Sequence, residues 1–438
     1  MEMPEKRPLG AMLVEAGVIT AQDLKVALES QRNEPVPIGA TLVRLGIAKE
    51  EEVLAILAQQ LNRIDVVLEE RNIENETVAE ALTQLFTQAI EAGATDIHFE
   101  PTRADAKIRV RIDGILREME LPAPLKSQYP AAVSRIKILS NLDIAEKRMP
   151  QEGRTTVQAR DREMDLRISI LPSRYGESVV IRVLDTEIPM GLSALGMAGK
   201  NLSELEKILE RRSGLILVTG PTGCGKTTTL YACLDRLNDS TRKIVTIEDP
   251  IEYTLPGAIQ MQVMAQIDLT FGRLLRTVLR HDPNVIMVGE IRDQETAEVA
   301  IRTALTGHLV LSTLHTNDAA STVTRLLEMG IEPYLVSSSL SCVIAQRLVR
   351  TVCQKCHGKL CLSCLGQGLK GRTGIFEFLL VEEAIRELVL KQASVEEIRQ
   401  CARGRGMTTL YENGMSKVQA GFTTKEELDR VIHQDELM

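Results

Sequence analysis

The 438-residue chain contains no tryptophan and only six phenylalanines and six tyrosines. Its core must therefore be built from Leu, Ile, Val, Met and Ala, and a platform that stacks bases or sugars on aromatic rings is disfavoured. No run of eighteen apolar residues occurs, so no transmembrane helix is expected. Residues 1–9 are short of apolar side chains and carry Glu2 and Glu5, unlike a secretory signal. Positive charge is not in excess either. The net charge of −8 argues against tight nonspecific binding to duplex DNA, and no nucleic-acid partner is expected. What is present, 44% apolar and 26% charged residues, is the composition of a folded globular chain. At roughly 150 residues per domain its length suits about three domains. Eight cysteines in a chain without a signal point to a reducing compartment, where clustered Cys suggests metal rather than disulfides.

The first sixty residues repeat. Leu9-Gly10-Ala11-Met12-Leu13-Val14 aligns with Ile38-Gly39-Ala40-Thr41-Leu42-Val43, and the same offset pairs Gly17 with Gly46, Leu24 with Val53 and Leu28 with Leu57. Each copy reads as two short amphipathic helices with a turn at the Gly and a cap near Thr20 or Lys49. Residues 1–80 hold fifteen acidic and eight basic side chains, nearly all of the net charge, so this module is expected to stand apart behind a charged linker. From Glu80 the pattern predicts a helix, then strands at Asp96–Glu100 and Lys107–Ile112, a hairpin turn at Asp113-Gly114, and a second hairpin through Asp165–Leu184. Short unbroken apolar runs then recur at Leu215–Val218, Ile244–Ile247, Val285–Val288 and Leu309–Leu311, suited to strands buried on both faces of a parallel sheet. Beyond Asp318 the chain reads as mostly helical, interrupted by a Cys-rich turn.

Gly220-Pro221-Thr222-Gly223-Cys224-Gly225-Lys226-Thr227-Thr228 fits G-x-x-x-x-G-K-[ST] between an apolar strand and a helix. The glycines let backbone N–H groups turn inward onto phosphate, Lys226 neutralises the β and γ phosphates, and the Thr227 hydroxyl suits Mg²⁺. Such a site also needs a carboxylate, for Mg²⁺ and for the attacking water. Glu290 ends a buried strand, although Gly289 stands where Asp is usual, and Glu248-Asp249 ends a neighbouring one. Glu290 is favoured near the metal-bound water, with Glu248 in support. Arg273, Arg276 and Arg280 share one helix face opposite an apolar stripe. They are either a solvated face or groups that reach phosphate across a subunit boundary. His308 and His315 flank the strand beside the phosphate loop, where they are structural or sense phosphate.

These motifs resemble, in order, those of the secretion ATPase superfamily, that is type II secretion protein E and the type IV pilus assembly ATPases. Gly220–Thr227 is Walker A, Thr246–Tyr253 resembles the Asp box, Val285–Asp293 the unusual Walker B, and Thr306–Ala319 the His box. Ala94–Pro101 and Arg109–Gly114 resemble the small domain. The resemblance implies an α/β fold: a RecA-like P-loop motor domain, a small α+β (PAS-like) domain, an N-terminal helical repeat module and a helical C-terminal extension. On that basis the chain divides into a repeat module 1–67, a linker 68–79, the small domain 80–187, the ATPase domain 188–351, a tetracysteine segment 352–371 and a C-terminal helical subdomain 372–438. It also implies a cytoplasmic homo-hexamer, peripheral at a bacterial inner membrane, using ATP and Mg²⁺ to drive pilin-like subunits through an inner-membrane platform. Arg276 and Arg280, with Arg109, Arg111 and Arg292, become candidates for closing each nucleotide site. Competing readings are a slow, nucleotide-dependent scaffold, a DNA-uptake pilus motor, and a nucleic-acid translocase on the same motor.

Cys353-x-x-Cys356 and Cys361-x-x-Cys364 supply four thiolates, the donor set of a structural Zn²⁺ site. The assembly ATPases have such pairs, with a longer loop than His357–Leu360 between them. Reduced thiols without metal are the alternative. Cys224, Cys233, Cys342 and Cys401 read as small apolar packing residues. The repeat resembles a tandem cyclic di-GMP module, in which an Arg precedes the Leu-Gly of each copy. Pro8 and Pro37 occupy those positions here, with Arg7 one residue early, so docking to a platform protein is favoured over cyclic di-GMP binding.

Overall fold

The computed structural model describes residues 13, 14, 16–31, 38, 41, 42, 45–48, 72–103, 105–120, 122–159, 162–184, 191–359 and 361–432. Within the N-terminal module the repeat is visible as geometry. Leu13 and Leu42 are both fully buried in one cluster. Gly17 and Gly46 take the same left-handed backbone, at φ +70° and +67°. Val18 and Ile47 each donate an N–H to Leu13 or Leu42 at 3.0 Å. Thr20 caps helix α1 (Ala21–Gln31): its hydroxyl accepts from the Asp23 amide at 3.2 Å, and the Asp23 carboxylate accepts from its amide at 2.9 Å. Arg7, Pro8 and Pro37 lie outside the described residues.

Helix α2 (Asn72–Glu91) begins well before Glu80. Residues 72–79, expected as linker, are its first turns, because Val78 already packs into the small-domain core. Six antiparallel strands follow: β1 (Ala94–Pro101), β2 (Ala106–Ile112), β3 (Ile115–Met119), β4 (Gln151–Ala159), β5 (Arg162–Ser173) and β6 (Gly176–Leu184), in the order β3-β2-β1-β6-β5-β4. Between β3 and β4 run α3 (Ala123–Ser127) and α4 (Tyr129–Leu139). Leu82, Leu85 and Phe86 of α2 and Ile136 of α4 pack on Ile97 and Phe99 of β1. The first hairpin turns at Asp113 and Gly114, both at positive φ (49° and 82°), as its Asp-Gly pair predicts.

The larger domain contains α5 (Gly199–Leu209), β7 (Gly214–Thr219), α6 (Lys226–Leu237), β8 (Ile244–Glu248), β9 (Ile259–Gln262), α7 (Phe271–Val278), β10 (Val285–Val288), α8 (Gln294–Leu305) and β11 (Leu309–Leu314). It continues through α9 (Ala319–Glu328), α10 (Pro333–Ser339), β12 (Leu340–Val352), β13 (Leu369–Leu380), α11 (Glu383–Leu390), α12 (Val395–Gly404), α13 (Leu410–Gln419) and α14 (Lys425–Val431). The strands form one sheet in the order β13-β12-β7-β11-β10-β8-β9, parallel from β12 to β9. Every residue of β7, β8, β10 and β11 is buried, which is why their sequences are mostly apolar, with Thr219, Thr246, Glu248, Ser312 and Thr313 as buried polar exceptions. Two apolar clusters cover the two faces. This is the α/β, RecA-like arrangement that the motifs imply.

Two expectations need correction. The region after Asp318 is not mostly helical, since β12 and β13 pair over its middle as an antiparallel ribbon. Accordingly residues 372–380 are strand rather than part of a helical subdomain, and the tetracysteine turn is the tip of the ribbon. β12 is shielded on both faces, so its apolar run lacks the alternation that marks a half-exposed strand and reads equally as a buried helix. No helix among the described residues is long and apolar enough to cross a membrane.

Candidate nucleotide site and tetracysteine centre

β7 is an inner strand of the motor sheet, between β12 and β11, and its C-terminal end opens into the phosphate loop. Gly220, Gly223 and Gly225 have φ of 147°, 78° and 88°, values that L side chains resist. Space adds a second reason. A Cβ on Gly220 would fall 2.5 Å from the Gln346 carbonyl oxygen, and one on Gly225 2.9 Å from the Gln346 amide nitrogen. Gly225 caps α6, whose first residue is Lys226. Cys224 packs inward while Pro221, Thr222 and Gly223 form the exposed crest, and Thr227 and Thr228 are half-buried on the first turn. The Lys226 ammonium lies within the loop, donating to Gly220 O at 2.8 Å and Pro221 O at 3.1 Å. Burial lowers its pKa. Inward N–H groups at a helix N-terminus beside a buried lysine form an anion cradle.

β11 lies between β7 and β10, so the Glu290 strand reaches the site from the next position but one in the sheet. Glu290 is mostly buried and sits 2.5 Å from the Arg292 guanidinium and 3.6 Å from His315 Nε2. The Glu290 charge acts on both Lys226 and His315, which places the three side chains near one another. His315 has a lowered pKa, first from burial and then from Lys226. Gly289, at the position where Asp is usual, is crowded by β8. Its N–H bonds Ile247 O at 2.8 Å, and a Cβ there would come 3.3 Å from that same oxygen. β10 runs close enough to β8 that a Cβ there would crowd its backbone.

Several candidates lie elsewhere. His308 precedes β11 and His315 follows it. Six strand residues between them span about 20 Å, so His308 is at the opposite edge of the sheet. There His308 Nδ1 lies 3.1 Å from Thr303 O, a local structural contact. Glu248 does not face the phosphate cradle freely: Tyr231 and Thr246 hydroxyls donate to it at 2.6 and 2.5 Å, and Gln260 at 3.2 Å. It ties α6 to the chain that follows β8. Glu252, four residues on, lies near Thr227 on the first turn of α6. The residue is exposed; partial desolvation of its carboxylate and the Glu248 charge raise its pKa, against the opposing charge of Arg182. Glu252 lies within the Asp box, where its residue type alone assigns it no role. α7 ends at Val278, so Arg280 lies on a separate turn and the three arginines do not share one regular face. Arg273 pairs with Asp268 at 3.0 Å and Arg276 with Glu295 at 2.6 Å, while Arg280 is exposed. Arg109 pairs with Glu100 at 2.6 Å, and Arg111 lies 3.7 Å from Asp96, both within the small domain.

The four clustered cysteines converge. Sγ···Sγ separations are 3.9 Å for Cys353 and Cys361, 3.7 Å for Cys356 and Cys364, and 3.6 Å for Cys361 and Cys364, with all four sulfurs within 4.8 Å of one another. A tetrahedral Zn–S bond of about 2.3 Å requires sulfurs about 3.8 Å apart, so the donor set fits zinc. The short gap is bridged by duplication. At an offset of eight residues, His357-Gly358 and Leu365-Gly366 both take positive φ (51°, 84° and 51°, 69°), so each Cys-x-x-Cys is followed by the same turn. The Gly368 amide lies 3.2 Å from Cys364 Sγ and helps to favour a thiolate there. Cys233 and Cys342 are fully enclosed, and burial pushes Cys233 up to about 12, in keeping with inert packing.

Comparison with known proteins places this geometry. A family model described as "Type II/IV secretion system protein" matches residues 71–430. The type II secretion system protein HxcR of Pseudomonas aeruginosa is 48% identical over 363 residues, covering 81% of this chain and 77% of that protein. The type II secretion system ATPase E of Vibrio cholerae is 44% identical over 404 residues, covering 86% and 79%. Among solved structures, the pilus retraction motor PilT with bound ADP is 30% identical with a TM-score of 0.57, covering 80% of this chain and 96% of that one.

Proposed function

Because the chain belongs to the Type II/IV secretion system protein family of motor ATPases, we propose that it powers type II protein secretion as a homo-hexamer on an inner-membrane platform. One observation carries the choice of machine: relatives 48% and 44% identical over most of the chain are named for type II secretion, whereas the pilus motor is 30% identical. In this reading the amides of residues 223–227 and Lys226 hold the β and γ phosphates of ATP. The Thr227 hydroxyl and Glu290 hold Mg²⁺, which neutralises charge on the transferring phosphoryl group. Glu290 and Glu252 face the cradle from two sides, and one of them orients the attacking water. Arg292 and His315 hold Glu290 in position. Exposed Arg280, together with Arg276, reaches toward a neighbouring subunit's phosphates. The four thiolates hold one structural Zn²⁺, and the acidic N-terminal module docks on a platform protein.

Steady-state hydrolysis tests the reading. Purified chain should turn over Mg-ATP, Lys226→Ala should lose nucleotide binding, and Glu290→Gln should bind nucleotide but not turn over. Equal, negligible turnover in the unaltered chain and in Glu290→Gln would instead favour a nucleotide-dependent scaffold. Restored export by the unaltered gene, but not by Glu290→Gln, in a type II secretion-deficient host completes the assignment. Restored pilus extension alone would reassign the machine.

A further inference from the structure

β12 is an apolar strand with one amide in it. From Leu340 to Arg347 every residue is buried, and Gln346, 2% exposed, is the amide side chain among them. An amide buried this way is costly unless both of its ends are bonded. Both ends of Gln346 are bonded to the phosphate loop and its helix. Nε2 donates to the Cys224 carbonyl at 2.9 Å, and Oε1 accepts from the Thr229 hydroxyl at 2.7 Å. The two bonds fix each other's sense. The Cys224 carbonyl can only accept, so nitrogen must face it, and Thr229 must then donate to oxygen.

The loop needs such a partner. When backbone N–H groups turn inward to meet phosphate, some carbonyls turn outward into the protein, where water cannot reach them. The Cys224 carbonyl is one, and Gln346 answers it. The contact is close: the Gly220 and Gly225 positions that press on Gln346 have no room for a Cβ. Arg347 continues the support, donating to Asn317 O at 2.8 Å.

We propose that Gln346 is a positioning residue of the nucleotide site, holding the phosphate loop in its anion-binding form through Cys224 and Thr229. The inference rests on the nucleotide reading of the loop and deepens it. β12 runs from Gln346 straight into Cys353, while the Gly371 amide at the start of β13 donates to Asp113 of the small-domain hairpin at 2.9 Å. The loop is therefore supported by the ribbon that carries the tetracysteine centre and meets the small domain.

The test uses full-length Gln346→Glu and Gln346→Leu. A neutral carboxylic acid has the shape of the amide, can donate to Cys224 O and can accept from Thr229. An ionised one can only repel the carbonyl, and burial raises its pKa. Gln346→Glu should therefore bind Mg-ADP nearly as the unaltered chain does at pH 6 and lose roughly tenfold or more in affinity by pH 8.5, while the unaltered chain changes little. Gln346→Leu should raise KM for Mg-ATP about tenfold at both pH values, with a smaller fall in kcat. A pH-independent Gln346→Glu, or Gln346→Leu with unchanged KM, overturns the proposal. If Gln346→Glu does not fold at either pH, Gln346→Met, unbranched and of similar volume, gives the same reading as Gln346→Leu. Failure of nucleotide binding in the unaltered chain would overturn the function itself, a distinct outcome.

Discussion

Glu427 on α14 offers a measurement of how firmly the C-terminal helix holds the ribbon. Its carboxylate is 2% exposed and takes four charge-assisted contacts. Arg350 Nη2 lies at 2.6 Å and the Arg350 amide at 3.1 Å, while Arg430 contributes bonds of 2.6 and 2.9 Å. Burial alone would raise its pKa, but Arg430 and Arg350 overcome that and hold it down at about 2, against an ordinary 4.5. At about 1.4 kcal/mol for each tenfold change in proton affinity, the difference is worth about 3 kcal/mol. Breaking a buried ion pair by removing one partner costs about 3–5 kcal/mol, a consistent figure reached independently. The carboxylate form is the one favoured in the fold. Its contribution is therefore complete above pH 4.5 and disappears as pH falls through about 2. Glu427→Gln should lower the unfolding free energy of the full chain by about 3 kcal/mol in urea titrations at pH 7.5. The gap should narrow at pH 3.5. A loss below about 1 kcal/mol, the range of an exposed pair, or a gap unchanged by acid would refute the reasoning.

Glu290→Gln should cut turnover about a hundredfold or more, with nucleotide affinity held within a few-fold, as measured by steady-state hydrolysis and equilibrium binding. His315→Ala should slow hydrolysis, whereas His308→Ala should leave it unchanged, because only His315 is on the nucleotide edge of the sheet. Equal effects would contradict the placement of β11. Metal analysis should find about one Zn per chain, and Cys364→Ser should release it and lower the melting temperature. Zinc well below one per chain in the unaltered protein rejects the centre. Arg280→Ala should reduce turnover more than nucleotide binding if Arg280 acts on a neighbour's transition state, and equal losses would mark it as structural.

Much of the chemistry was legible from residue types at fixed spacing. The Gly220–Thr227 loop and the two Cys-x-x-Cys pairs are local motifs, and local motifs survive being read one residue at a time. The buried strands β7, β8, β10 and β11 announced themselves because both their faces are apolar. β12 is buried in the same way, but its length and its mixed pattern suited a helix equally well. His308 and His315 looked alike as lone histidines flanking one strand, yet the parallel pairing of β11 with β7 puts only the C-terminal end of β11 beside the phosphates. Glu248 and Glu252 differ by about one turn of chain. Their roles separate only when Tyr231 and Gln260, from other elements, claim the first and leave the second exposed.

By itself the sequence determined the phosphate loop, the acidic strand end at Glu290, the four thiols and the duplicated N-terminal turns. Each depends on covalent neighbours and on the backbone freedom of glycine. Tertiary structure alone decided which groups share a pocket. The sheet order brings β10 to the phosphate loop across β11. The closeness of β8 crowds any Cβ at position 289. The packing of β12 against the loop sets Gln346, more than a hundred residues away in the chain, beneath Cys224. These are contacts between distant segments, created by burying both faces of one sheet, and no local pattern encodes them.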